Sequence, residues 1–256
     1  MNDFPLRIET AKRGYLHLFY AGQAGFIIKS KSGQTLAVDL YLSDCGERLE
    51  GHIGFKRLLP RILNPQEIAF DYIIATHPHF DHYDVDSMPF MMSWPNTQLY
   101  ASINCDKYVH ETMIDESRVT YVKPSDSFNA GDYSLHFINC DHGSLAPDAV
   151  GVIIEIDGKR IIVTGDTCLR LERANEYLSK GAIDIMIAPI NGAYGNLNED
   201  DCVELCKVLN PKLTIPCHYG LFATHKGQPG LFMEIMKEKC PGQDYLLMTM
   251  GESILL

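Results

Sequence analysis

Basic residues are in short supply in this chain. Lys and Arg number 22 against 33 Asp and Glu, a formal net charge of −11. That deficit argues against a general nucleic-acid binder, whose affinity rests on neutralising phosphates, and against binding an anionic membrane surface. A phosphorylated small molecule stays open, because bound cations can make a pocket locally positive. Long apolar runs are also missing: none approaches the roughly 18 residues that cross a bilayer. The opening stretch MNDFPLRIETAKRGYLHLFY has no apolar segment of the kind a secretory leader needs, so none is expected. Eight cysteines occur, but no C-x-x-C pair and no short disulfide-scaffold spacing. Reduced, mostly buried thiols in a cytoplasmic protein are expected. No internal repeat, low-complexity tract or linker divides the sequence. With 256 residues, 46% of them hydrophobic and 21% charged, the chain can bury a sizeable core, and residues 1–256 are expected to form a single domain.

What is present is a series of short β-branched runs: YLHLFYAG, GFIIKS, QTLAVDLY, DYIIATH, RVTYVKP, YSLHFINC, GVIIEI, KRIIVTGD, IDIMIAPI, KLTIPCHYG and YLLMTMGESILL. These read as strands. SGQ at 32–34 and DGK at 157–159 read as hairpin turns, since Ser-Gly and Asp-Gly tolerate positive φ. NEDDCVELCKVLNP (198–211) has a polar cap, an acidic first turn, one apolar face and a terminating proline, and so predicts a helix. PGLFMEIMKEKCPG (229–242) is similar, and weaker helical patterns fall near 84–92, 103–113 and 170–180. The expected architecture is α/β (α+β), with two mostly antiparallel or mixed sheets covered by helices in a layered sandwich. Residues 41–70 break the strand rhythm and read as a partly helical flap or insertion, locally basic through His52, Lys56, Arg57 and Arg61. A solvated helix face is the commoner origin of such a run, and anion binding the rarer one.

The densest chemistry is ATHPHFDHYD, residues 75–84, directly after the apolar FDYIIA. In an extended segment alternate side chains point the same way, so His77, His79 and Asp81 project together, with Pro78 stiffening the backbone. His82 follows as the chain turns toward a helix. Two cations can share these groups more easily than one can take all four. A dinuclear site needs further ligands, and suitable groups stand just past other predicted strands: His142 after LHFINCD, Asp166 after RIIVTG and His218 after KLTIPC. Taken singly, each histidine would more often be structural. Three such residues together with the dense motif favour ligands. His17, His110 and His136 lack that setting and read as structural.

THPHFDH matches the H-x-H-x-D-H signature of the metallo-β-lactamase superfamily, and CDH, TGDT and PCHYG follow in that family's order over almost the whole chain. The resemblance implies a four-layer αββα sandwich of two mixed sheets flanked by helices, with a dinuclear site at one edge. Carried over by position, it implies that His77, His79 and His142 bind a first metal. Asp81, His82 and His218 would bind a second, and Asp166 would bridge both. GQAGFIIKS, VDLYLSD, GVIIEIDGKRIIVTGDT, IMIAPINGAYGNLNEDD and IPCHYG look most like the L-ascorbate-6-phosphate lactonase-like hydrolases. Related metal-dependent hydrolases and the N-acylphosphatidylethanolamine phospholipase D branch share the layout.

The implied chemistry is hydrolysis by hydroxide generated on the metals. A lactone is opened, on this resemblance a phosphorylated sugar-acid lactone such as L-ascorbate 6-phosphate. The alternative is a phosphodiesterase acting on a small or lipid-like diester. Mixed nitrogen and oxygen ligands suit two divalent ions, Zn or Mn, with Fe also compatible. Asp81 and Asp166 supply the charge that holds two cations close, and His225 is a candidate general acid or phosphate donor. Asn191, Tyr194 and Tyr219 are candidate substrate contacts, with Lys123 and Arg170 as further cations. Asp39 is a candidate partner orienting a ligand histidine. A small-molecule partner is expected, with no nucleic acid and no membrane, and the resemblance is compatible with a homo-oligomer.

Overall fold

The computed structural model describes residues 3–256. Contacts divide the chain into two compact units, Met1–Val122 with Thr249–Leu256, and Lys123–Met248. The first contains α1 (Phe4–Thr10), β1 (His17–Gly22), β2 (Gly25–Lys29), β3 (Thr35–Val38), α2 (Cys45–Glu50), β4 (Tyr72–Ala75), α3 (Met88–Met91), β5 (Gln98–Ser102), α4 (Asp106–Glu111) and β6 (Val119–Val122). The C-terminal strand β13 (Ser253–Leu255) completes it. The second contains β7 (Ser127–Ala130), β8 (Tyr133–Asn139), β9 (Val150–Ile156), β10 (Lys159–Val163), α5 (Ala174–Tyr177), β11 (Ile185–Pro189), α6 (Glu199–Leu209), β12 (Leu213–Cys217) and α7 (Pro229–Lys239).

The first unit has one seven-stranded sheet in the order β13-β1-β2-β3-β4-β5-β6. Pairing is antiparallel from β13 to β3 and parallel from β3 to β6. Short turns join β1 to β2 and β2 to β3, while β13 returns from the far end of the chain to pair with β1. Each parallel pair needs a crossover, and α2, α3 and α4 lie in those crossovers. Alternation along the strands sends Phe19, Ala21, Ile27, Ala37, Ile73, Ala75, Leu99 and Ala101 into one core. Phe4 and Ile8 of α1, Met88 and Met91 of α3, and Val109 of α4 fill the same cluster.

The second unit has a six-stranded sheet in the order β12-β11-β10-β9-β8-β7, parallel from β12 to β10 and antiparallel beyond. The Asp157-Gly158 turn joining β9 to β10 has φ of +51° and +80°, as a turn with two left-handed central residues requires. Helix α6 begins with a reciprocal cap: Asp201 N donates to Asn198 Oδ1 at 2.9 Å, and Asn198 N donates to Asp201 Oδ2 at 3.2 Å. It ends where Asn210 turns left-handed before Pro211. Its buried Cys202, Val203, Leu205, Cys206 and Leu209 pack with Ile138, Ile153, Ile162, Met186 and Ala188 of the sheet and with Phe232 and Met236 of α7. Each fully buried Val or Leu there contributes ~1.5–3 kcal/mol.

Two mixed sheets with helices packed on them is the fold class the sequence predicts. The differences are local. QLYAS and SFNA form β5 and β7, which the patterning does not pick out. β7 is an edge strand whose side chains alternate toward solvent, so it has no apolar run to read. Of YLLMTMGESILL only Ser253–Leu255 is strand, because a turn intervenes: Glu252 N donates to Thr249 O at 2.9 Å, and Gly251 has φ +92°. Within residues 41–70 the regular structure is α2 and a single 3-10 turn, Gly51–Ile53. Leu63, Ile68 and Phe70 anchor this segment in the first core. Arg57 ties down its base, donating to the carbonyls of Tyr41 at 2.8 Å and Ser43 at 3.0 Å.

Candidate metal centre

The first unit places four of the expected ligands on the loop after β4. His77 and His82 are fully buried and Asp81 nearly so, while His79 is half-buried. The tautomers follow from their partners. Asp39 Oδ2 lies 2.8 Å from His82 Nδ1 and accepts its N–H, which keeps the proton on Nδ1 and leaves Nε2 with a lone pair for a cation. Thr76 Oγ1 donates to the same Asp39 oxygen at 2.7 Å, so toward His77 Nδ1, 3.1 Å away, it acts as acceptor. His77 thereby also presents Nε2. That nitrogen lies 2.9 Å from His79 Nδ1, near the ~3.3 Å edge of a tetrahedron with metal–nitrogen bonds of ~2.05 Å. Asp81 Oδ2 stands 3.9 Å from His82 Nε2. Three imidazoles and a carboxylate held this way are a chemically suitable donor set for a divalent transition metal.

Two further features of this half escape a reading by spacing. Gln23, fully buried in the β1–β2 turn, donates from Nε2 to Asp81 Oδ2 at 2.9 Å. Asp84 collects five donors: the amides of Leu42, Ser43, Asp86 and Ser87 and the Ser43 hydroxyl, all within 3.1 Å. It thus fastens the ligand loop to the base of the 41–70 segment. Phe55 of that segment packs edge-on against Phe80, ring centroids 4.9 Å apart.

In the second unit Asp166 lies just past β10, His218 just past β12 and His142 just past β8, and all three are buried. An imidazole nitrogen faces each carboxylate oxygen of Asp166: His218 Nε2 at 2.9 Å from Oδ1 and His142 Nε2 at 4.0 Å from Oδ2. Asn196 donates from Nδ2 to Asp166 Oδ2 at 2.7 Å and also contacts Asn191 Oδ1 at 3.1 Å. Among the described residues, Asn191 Nδ2 has no hydrogen-bond partner although Asn191 is buried. The loop carrying both amides runs close to His142, since a Cβ built on Gly195 would lie 4.0 Å from its Nδ1. His225 stacks on His218 at 5.0 Å and 25°, and the Tyr194 ring lies 5.8 Å beyond it. Tyr194 and His218 both take left-handed backbone, φ +56° and +64°, a conformation non-glycine residues adopt at a cost. The Tyr219 hydroxyl donates to Met248 O at 2.5 Å.

The other expectations can be placed as well. All eight cysteines carry thiols, and burial pushes the Cys45, Cys105 and Cys202 thiols up. His17 meets Lys12 O, His110 meets Glu116, and His136 meets Ser127 and Glu155. The cations of the 41–70 segment face carboxylates: Lys56 with Glu47, and Arg57 and Arg61 with Asp44. Arg170 holds Asp141, and that hydrogen bond lowers the Asp141 carboxyl below its ordinary range. No helix among the described residues is long and apolar enough to cross a membrane.

Comparison with known proteins bears on the family and the fold. A "UPF0173 metal-dependent hydrolase" of Myxococcus xanthus is 24% identical over 232 residues, covering 86% of this chain and 76% of its own. A Salmonella heidelberg protein named "Probable L-ascorbate-6-phosphate lactonase UlaG" is 22% identical over 267 residues, covering 86% and 74%. The structure of Igni18, described as a novel metallo hydrolase from Ignicoccus hospitalis, matches with a TM-score of 0.73 at 20% identity, over 94% of this chain and 98% of that one. At that identity the match shows the fold. The family model described as the beta-lactamase superfamily domain matches residues 17–218, and the chain therefore belongs to that family, the metallo-β-lactamase superfamily.

Proposed function

We propose that this protein is a metal-dependent hydrolase that opens a lactone, with a phosphorylated sugar-acid lactone such as L-ascorbate 6-phosphate as the substrate class. One observation carries the hydrolase reading: buried imidazoles whose other nitrogen is already committed, as His82 Nδ1 is to Asp39, which is how metal-ligating histidines are held. The lactone reading is supported by the Salmonella relative's name. On the resemblance, His77, His79 and His142 would hold one ion and Asp81, His82 and His218 a second, and Asp166 would serve both. A divalent ion held by these residues, Zn, Mn or Fe, would supply Lewis-acid polarisation of the scissile group and acidify a water toward neutrality.

The chain's own residues do the rest. Asp39 and Thr76 orient His82 and His77. Asn191 Nδ2, a buried amide donor without a hydrogen-bond partner among the described residues, is assigned to the oxygen that gains charge when the carbonyl is attacked. His225, stacked on His218 and edge-on to Phe222 at 5.3 Å, is assigned to protonating the leaving oxygen. Tyr194 and Tyr219 complete the proposed substrate contacts.

The test is hydrolysis of such a lactone by purified protein supplied with Mn or Zn, together with Asp166→Ala. The reading expects turnover in the native protein and loss of it in the variant; full activity in the variant would sink the mechanism. Much faster turnover of bis-p-nitrophenyl phosphate than of lactones would move the assignment to a phosphodiesterase.

A further inference from the structure

Each ligand aspartate has one carboxylate oxygen gripped by a side-chain amide: Asp81 Oδ2 by Gln23 Nε2 at 2.9 Å, and Asp166 Oδ2 by Asn196 Nδ2 at 2.7 Å. All four residues are buried. We propose that Gln23 and Asn196 are positioning residues for the metal centre, a role that rests on the hydrolase reading. A carboxylate on a flexible side chain must lose rotational freedom before it can bind a cation, and an amide donor fixes one oxygen in advance. Neutrality suits the task. An arginine or lysine here would satisfy the same oxygen but would compete with the cation for the carboxylate's charge.

Gln23 carries a second, independent mark. It is the first of two residues, Gln23 and Ala24, linking β1 to β2, and its φ is +56°. Glycine is the default in that conformation, because a Cβ is strained there. The turn is nonetheless built firmly around a glutamine. Tyr20 OH donates to Gln23 O at 3.0 Å, and the Tyr20 ring stacks on Phe26 at 4.8 Å. A strained backbone held by its surroundings, carrying a buried side chain that points at a ligand, marks a residue kept for function over stability.

The experiment separates the two. Gln23→Gly relieves the backbone and removes the amide; Gln23→Met keeps the side-chain length and removes only the donor. Zn2+ affinity is measured by competition with a chromophoric chelator, and metal-free melting temperature is measured alongside. We expect both variants to bind Zn2+ 10–100-fold more weakly than the native protein, with the metal-free melting temperature of Gln23→Gly equal to or above native. Asn196→Ala should weaken binding by a similar factor. Zn2+ affinities within twofold of native in all three variants would overturn the positioning role while leaving the hydrolase reading intact. A native protein that takes up no Zn2+, Mn2+ or Fe2+ would overturn both.

Discussion

At the scale of single residues, the candidate ligands are held by groups outside the proposed ligand set. Asp39 fixes the His82 tautomer and, through the Thr76 hydroxyl, that of His77. Asp39→Ala leaves His82 Nδ1 without its acceptor, and Zn2+ affinity is expected to fall 10–100-fold in chelator competition. A residue-scale effect remote from the centre is set by pH. Arg160 donates to Glu155 Oε1 from Nε at 2.9 Å and from Nη2 at 2.5 Å, and this pairing holds the Glu155 carboxyl below its ordinary range. A depressed carboxylate stabilises the fold above its unfolded-state value, and the contribution disappears as pH falls through the folded-state value. Glu155→Gln is therefore expected to cost stability at about pH 5–8, with the difference from native shrinking once pH falls below the ordinary carboxylate range and vanishing below the lowered folded-state value, read by urea melts at decreasing pH. The Glu155 side chain is 35% exposed, so solvent screening limits the cost to roughly 0.5–1 kcal/mol. Cys206 offers a chemical reading of burial. Desolvation raises its thiol to about 11, so alkylation of native protein by iodoacetamide at pH 8 should spare it.

At the scale of elements, strand ends position the candidate ligands, and close packing holds the ends in place. Gly151 in β9 shows this. A Cβ built there would stand 2.8 Å from Thr164 O and 2.9 Å from Val163 O, the backbone that leads into Asp166. Gly151→Ala should push β9 away from the end of β10, costing about 1–3 kcal/mol in denaturant melts and weakening metal binding with it. The α6 cap is a milder case. Asn198→Ala removes one partner of the capping box and should cost ~1 kcal/mol. The strands followed by candidate ligands, β4, β8, β10 and β12, were legible as apolar runs with polar residues just beyond. β5 and β7 were not. QLYAS is short and begins and ends polar, and SFNA is an edge strand half turned to solvent. Their strand state comes from pairing with β4, β6 and β8, partners that periodicity within a short window does not reveal.

At the scale of the whole molecule, metal binding and folding are linked. Ligands preorganised in the native state are scattered in the unfolded chain, so a bound ion stabilises only the folded form. A chelator is expected to lower the melting temperature, by the equivalent of ~4 kcal/mol if free metal stood at a thousand times its dissociation constant. Elemental analysis should find about two ions per chain and fewer in His218→Ala; an unchanged content in that variant would make the ligand assignment wrong.

The sequence by itself determined the residue types and their order along the chain: H-x-H-x-D-H after one strand, then His142, Asp166 and His218 after three others. These are local facts, because ligands carried on a loop immediately following a strand are written in consecutive residues. It also determined the fold class, since strand and helix periodicities survive in short windows. Only the tertiary structure decided who supports those ligands. Gln23 and Asp81 lie 58 residues apart, Asp39 and His82 43, and Asn196 and Asp166 30. An amide or a carboxylate at such a distance carries no sign of its partner in the sequence. The partnership exists because sheet register, the β1–β2 turn and the loop before α6 bring the groups within hydrogen-bonding range, and buried polar atoms must find partners once water is excluded.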